Sequence, residues 1–91
     1  MAFYDLPKQE RIHVVAKMSN DILNEIESAE FKSTFSYFSN EDTYIRKAAY
    51  LSLGRLYFTN KVLQPKIIQM LNVFMLQDDF KIRQTVINAA G

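Results

Sequence analysis

The stretch Asn40-Glu41-Asp42-Thr43-Tyr44-Ile45-Arg46-Lys47-Ala48-Ala49-Tyr50-Leu51-Ser52-Leu53-Gly54 returns 37 residues later as Gln77-Asp78-Asp79-Phe80-Lys81-Ile82-Arg83-Gln84-Thr85-Val86-Ile87-Asn88-Ala89-Ala90-Gly91. Acid, Ile-Arg, small or β-branched residues and glycine stand in register in both copies. A period of this size marks stacked helical units, because one such unit cannot bury its apolar face alone and must cover it with the next. The repeat therefore predicts an all-α chain of helical-solenoid type, and its scaffold character leaves the partner unnamed.

Local patterns place about five helices. Pro7 suits the first turn of a helix over 7–27, on which Ile12, Val15, Ala16, Ser19, Ile22, Leu23 and Ile26 fall on one stripe. A shorter helix over 28–39 carries Phe31, Thr34, Phe35 and Phe38. Asn40 to Thr43 offer side-chain oxygens to the free N–H groups of a third helix starting near Asp42. Its inner face is Ile45, Ala48, Ala49, Ser52, Leu53 and Leu56, while the apolar Leu51 and Phe58 on the other side imply neighbours on more than one flank. Thr59-Asn60 ends it, since Asn tolerates the left-handed conformation of a helix terminus. The fourth helix, from 61 or 64 to 77, has Pro65 in its first turn and is apolar almost all round, which predicts neighbours on several faces. Asp78-Asp79 begins the fifth, with Ile82, Thr85, Val86 and Ala89 inward.

The pattern Asp-x-x-x-Ile-Arg-x-Ala-Ala-x-x-x-Leu-Gly, preceded by a shorter helix, resembles the second helix of a HEAT repeat. The resemblance covers 28–91 and implies a right-handed α-α superhelix. One domain is expected, with 1–27 as an N-terminal capping helix, 28–60 as the first repeat and 61–91 as an incomplete second. The third helix runs on past Gly54 whereas its copy stops at Gly91, so a fragment truncated at the C-terminus is the expectation, with self-association through that end. The resemblance also implies that Asp42 and Asp79 cap the second helices and that Arg46 and Arg83 form a ladder between adjacent repeats. Thr85-Val86 in place of Ala48-Ala49 predicts looser packing in the second unit.

Composition narrows the chemistry. With 48% apolar and 23% charged residues the 91-residue chain is of globular type, and its small core gives it marginal stability. The lack of cysteine removes disulfides and thiolate metal sites, and fits a cytoplasmic setting. The N-terminus does not read as a signal peptide, and the apolar run Val73 to Leu76 is far short of the ~20 residues that cross a bilayer. His13 is the only histidine, so no triad can be assembled. Asp21 and Glu25 read as a solvated i,i+4 pair, and Glu41 and Asp42 as a cap. Gly54 and Gly91 are lone glycines, read as allowing close packing rather than as a phosphate loop.

One stretch invites a functional reading. Between Thr43 and Gln77 stand Arg46, Lys47, Arg55, Lys61 and Lys66 with no acid, interleaved with Tyr44, Tyr50, Tyr57 and Phe58. HEAT-like proteins similar to the DNA alkylation-repair type hold duplex backbone on such charges, which makes weak nucleic-acid binding the second reading. An accessory subunit of a larger enzyme is the third. The first is a non-enzymatic protein-interaction scaffold without cofactor or metal. Its partner surface, by the helical wheel, is Lys47, Tyr50, Leu51 and Gly54 of one repeat with Gln84, Ile87 and Asn88 of the next.

Overall fold

The computed structural model describes residues 2–90, so Gly91, the glycine matched with Gly54, lies outside the described residues. The helices are α1 (Lys8–Ser28), α2 (Lys32–Phe38), α3 (Thr43–Thr59), α4 (Gln64–Met75) and α5 (Phe80–Ala90). Two 3-10 turns, Phe3–Asp5 and Lys61–Leu63, precede α1 and α4, and no strand occurs among the described residues. The helix starts follow the repeat: Asp42 Oδ1 accepts from the backbone N–H of Tyr44 at 2.9 Å, and Asp79 Oδ1 from that of Lys81 at 2.8 Å and of Ile82 at 3.3 Å. The two caps lie 37 residues apart and make the same bond two residues on.

Helix α3 packs against α1 on one side and α5 on the other. Helix α2 lies across α1 and α3, and α4 packs on α5. One core joins all five: Met18, Ile22 and Ile26 from α1, Phe38 from α2, Ala49 and Leu53 from α3, Ile67, Met70 and Phe74 from α4, and Ile82 and Val86 from α5. Where α1 and α3 meet the side chains are small, and Ser19 donates its hydroxyl to that of the buried Ser52 at 3.0 Å. At 21 residues α1 is ~32 Å long, close to the 35 Å longest dimension of the molecule. The seven-residue α2 covers only ~10 Å of it. Helix α1 also meets both α3 and α4, and Leu23 lines a cleft with Leu63 of the second 3-10 turn.

A helix as short as α2 is not stable alone, because nucleation fixes several residues for a single hydrogen bond. It is held at both ends by side chains from other helices. At its start the Glu25 carboxylate, from α1, accepts from the backbone N–H groups of Ser33 at 2.7 Å and Thr34 at 2.6 Å, and from the Thr34 hydroxyl at 2.7 Å. At its end the buried Thr85 hydroxyl, from α5, lies 3.0 Å from the Phe38 carbonyl and 2.7 Å from that of Lys81. Thr85 stands where the first copy has Ala48, so the exchange serves a bond to α2, and both Thr85 and Val86 are buried.

Three local expectations are corrected. Asn60 ends α3 with φ −129°, outside the left-handed region; among the described non-glycine residues the positive φ falls on Ala29, at 60° after α1. The apolar circumference of α4 is only partly covered: Ile67, Met70 and Phe74 are buried, whereas Ile68, Val73, Met75 and Leu76 are exposed. Gly54 does not serve close packing, since a Cβ placed there meets nothing within 4 Å.

Ala29 and Gly54 each occupy a setting that suits the other residue type. Glycine inside a helix loses more conformational entropy than alanine, and alanine at φ 60° crowds its Cβ against the backbone. Gly54→Ala and Ala29→Gly are each expected to raise stability, by about 0.5–1 kcal/mol and about 0.5 kcal/mol respectively. Urea denaturation of the single and double variants reads this directly. A loss for Gly54→Ala would mean that the space beside it is filled in solution.

Candidate functional site

The residues expected to face a partner are divided among four openings. Between α3 and α5, Lys47, Tyr50, Gln84 and Asn88 line one opening of about 170 Å³ together with Thr43, Tyr44, Arg46 and Thr85. Lys47 and Gln84 are equivalent positions of the two repeat copies, so this groove is built by the repeat itself. Leu51, half exposed, lines a second groove with Phe3, Tyr4, Val15, Tyr44 and Arg55, which Lys47 borders from the other side. Ile87 lines a third, between α4 and α5, with Ile68, Leu71, Asn72, Met75 and Val86. Gly54 belongs to an apolar hollow with Tyr57, Phe58, Ile67, Ile68, Leu71 and Ala89.

The arginines of the repeat differ from one another. Arg46 Nη1 donates to the carbonyl of Asn40, in the loop leading into its own helix, and Asn40 Oδ1 in turn accepts from the Asp42 N–H at 2.8 Å. Arg46 thus ties its own loop. Arg83 is exposed and makes no ion pair among the described residues.

Asp42 also reaches the N-terminal turn, a contact that no local pattern announces. Its Oδ2 accepts from the Phe3 N–H at 2.7 Å. Phe3 is buried, Tyr4 stands edge-on to Tyr44 with ring centroids 4.5 Å apart, and the Arg11 guanidinium lies 4.9 Å from the Tyr4 ring centroid. The turn is thereby fastened to the start of α3. The N–H groups of Phe3 and then Tyr44 hold the Asp42 carboxyl below the ordinary carboxylate range.

The acids read as a solvated pair have separate duties. Glu25 caps α2, as described above. Asp21 Oδ2 accepts from Lys17 Nζ at 2.8 Å and from the Tyr37 hydroxyl at 2.7 Å. Lys17 first and Tyr37 second depress the Asp21 pKa, while burial and then Asp21 raise that of Tyr37. The sequence offered no signal for this: the helix is expected from 28, whereas α2 begins at Lys32 with Phe31 at its N-cap, a residue with no side-chain oxygen to offer, so the cap comes from elsewhere.

Because Asp21 and Asp42 both titrate lower when folded, they contribute stability that is present above the unfolded value of about 3.9 and lost as pH falls through the folded values. Chemical denaturation between about pH 6 and about pH 2.5 is expected to show this decline. Asp21→Asn and Asp42→Asn, less stable at the upper end of that range, should show a shallower one. Equal slopes in all three proteins would rule out these two carboxylates as its source.

His13 is exposed on α1, and among the described residues no three of His, Cys, Asp and Glu gather as metal ligands would. No described helix is long and apolar enough to cross a membrane. Of the cations of the 43–77 stretch, Arg46, Lys47 and Arg55 line two adjoining grooves on α3, whereas Lys61 lines a separate cleft with Glu27. No protein-family model, no curated protein and no solved structure matches this chain.

Proposed function

We propose that the chain is a non-enzymatic scaffold of HEAT type that binds a partner protein in the groove between α3 and α5. The observation that carries this reading is the convergence there of the repeat-equivalent Lys47 and Gln84 with Tyr50 and Asn88. An exposed ammonium, a tyrosine and two amides form a mixed polar and aromatic lining suited to an acidic or amide-bearing segment. The superhelical sense proposed for the stack is right-handed. That sense is taken from the HEAT resemblance; the 37-residue spacing of the Asp42 and Asp79 caps and the placing of α3 between α1 and α5 support stacked helical units. The placing of Lys61 in a separate cleft beside Glu27 leaves only Arg46, Lys47 and Arg55 on adjoining grooves, a short track for duplex backbone, and Arg46 is tied to the Asn40 carbonyl.

The reading is tested by affinity capture with the wild-type chain, Lys47→Glu, Tyr50→Ala and His13→Ala, with far-UV circular dichroism to check that all remain helical. A specific protein retained by wild type and His13→Ala but lost with the two groove variants is the expected result. Capture that is indifferent to Lys47→Glu and Tyr50→Ala would defeat it. Saturable binding of duplex DNA at low salt, abolished by Lys47→Glu, would favour the nucleic-acid reading instead.

A further inference from the structure

The repeat relates not only α3 to α5 but α2 to α4, and the two first helices differ at their last residues: that of α2 is covered and that of α4 is not. Phe38 and Met75, 37 residues apart, are the last residues of α2 and α4. Phe38 is fully buried, and Met75 is 42% exposed. From α4 the ring of Phe74 reaches α2, 6.0 Å from that of Phe31, 5.8 Å from the 36%-exposed Phe35 and 5.4 Å from Phe38. Advanced by the period, these three receiving positions are Ile68, Asn72 and Met75, and all three line the groove of about 250 Å³ between α4 and α5. Tyr50, half-buried in the first unit, maps to Ile87 on the same groove, 56% exposed. The receiving surface of the first unit is thus present again on the second, open.

The geometry points to a specific occupant: a two-helix unit of another polypeptide whose first helix carries a large aromatic residue in the position that Phe74 holds here. The groove between α4 and α5 would take that ring as α2 takes Phe74, and no charged side chain lines it. A second copy of this chain is a poor match. Its own Phe74 is 1% exposed. The outer side of its α1 presents the exposed polar residues His13, Lys17, Asn20 and Asn24, so a second copy would have to offer the exposed Phe58, Val62 or Phe80 from another face, none of which holds the position of Phe74. The inference concerns a different face from the α3–α5 groove and holds or fails without it.

The test uses a synthetic peptide of residues 61–90 of this chain, which carries Phe74, titrated into the full chain and followed by fluorescence anisotropy and circular dichroism. Saturable binding with a gain in helicity is expected. It should weaken at least about tenfold for a peptide bearing Phe74→Ala. Met75→Glu or Ile87→Glu in the protein should weaken it equally, and Lys47→Glu should leave it unchanged. Both protein variants alter exposed positions, and their thermal melts check that folding survives. No binding would overturn the proposal. So would binding that ignores both Met75→Glu and Ile87→Glu, since the peptide would then be exchanging for the chain's own α4 and α5. Dimerisation of the wild-type chain abolished by Met75→Glu would assign the face to a second copy and overturn it as well.

Discussion

Phe74→Ala is expected to lower stability by about 3–5 kcal/mol, the range for removing a buried phenylalanine that leaves a cavity behind. Phe74 is 1% exposed and meets three phenylalanine rings of or beside α2, so its loss takes edge-to-face contacts as well as buried area. A chain of this size has about 5–14 kcal/mol in total, so the variant gives up a large share of its stability. Phe74→Leu keeps most of the volume and should cost about 1–2 kcal/mol, with the fold retained. Guanidinium denaturation measures both. A cost below about 1 kcal/mol for the alanine variant would show that α2 and α4 are not held together by this residue.

Glu25→Ala is expected to cost about 2–3 kcal/mol. Its carboxylate satisfies two of the free N–H groups of α2 and one hydroxyl, and bonds to a charged acceptor are the stronger kind. Because α2 has no oxygen-bearing side chain of its own at its N-cap, water is the only replacement. Glu25→Gln keeps one acceptor oxygen without the charge, and about 1 kcal/mol is expected. Hydrogen exchange separates a local from a global effect: the amides of Ser33 and Thr34 should lose more protection than those of α5. Uniform loss over the chain would place Glu25 in the general stability of the fold rather than at the start of α2.

These two residues show where a reading of the chain reaches and where it stops. Phe74 stood in a helix read as apolar almost all round, so the sequence did not single it out from Val73 or Met75, and its ring partners lie more than thirty residues away where no local pattern names them. Glu25 was read as one half of a solvated pair with Asp21. Spacing along a helix shows that two acids share a side of it, and nothing in that spacing shows that α2 begins opposite one and that Tyr37 faces the other. The partner surface was legible in the same partial way. The wheel placed Lys47, Tyr50, Leu51, Gln84 and Ile87 together on the inner surface of the solenoid, and the packing of α3 between α1 and α5 divided them among three grooves.

Local sequence was enough for the helical class, for the five helices to within a few residues, and for the caps Asp42 and Asp79, all of which depend on interactions within about four residues of one another. The 37-residue period likewise showed which residues are equivalent. Which equivalents are alike in environment became visible only with the helices packed. Ala48 and Thr85, Gly54 and its open surroundings, and Phe38 and Met75 stand at repeat positions whose burial and contacts the period did not give. A repeat specifies the same backbone twice because backbone propensity is local. Burial and hydrogen-bond partners depend on which helix packs alongside, and that differs between the two units: α4 and α5 cover the first, and the corresponding face of the second is open.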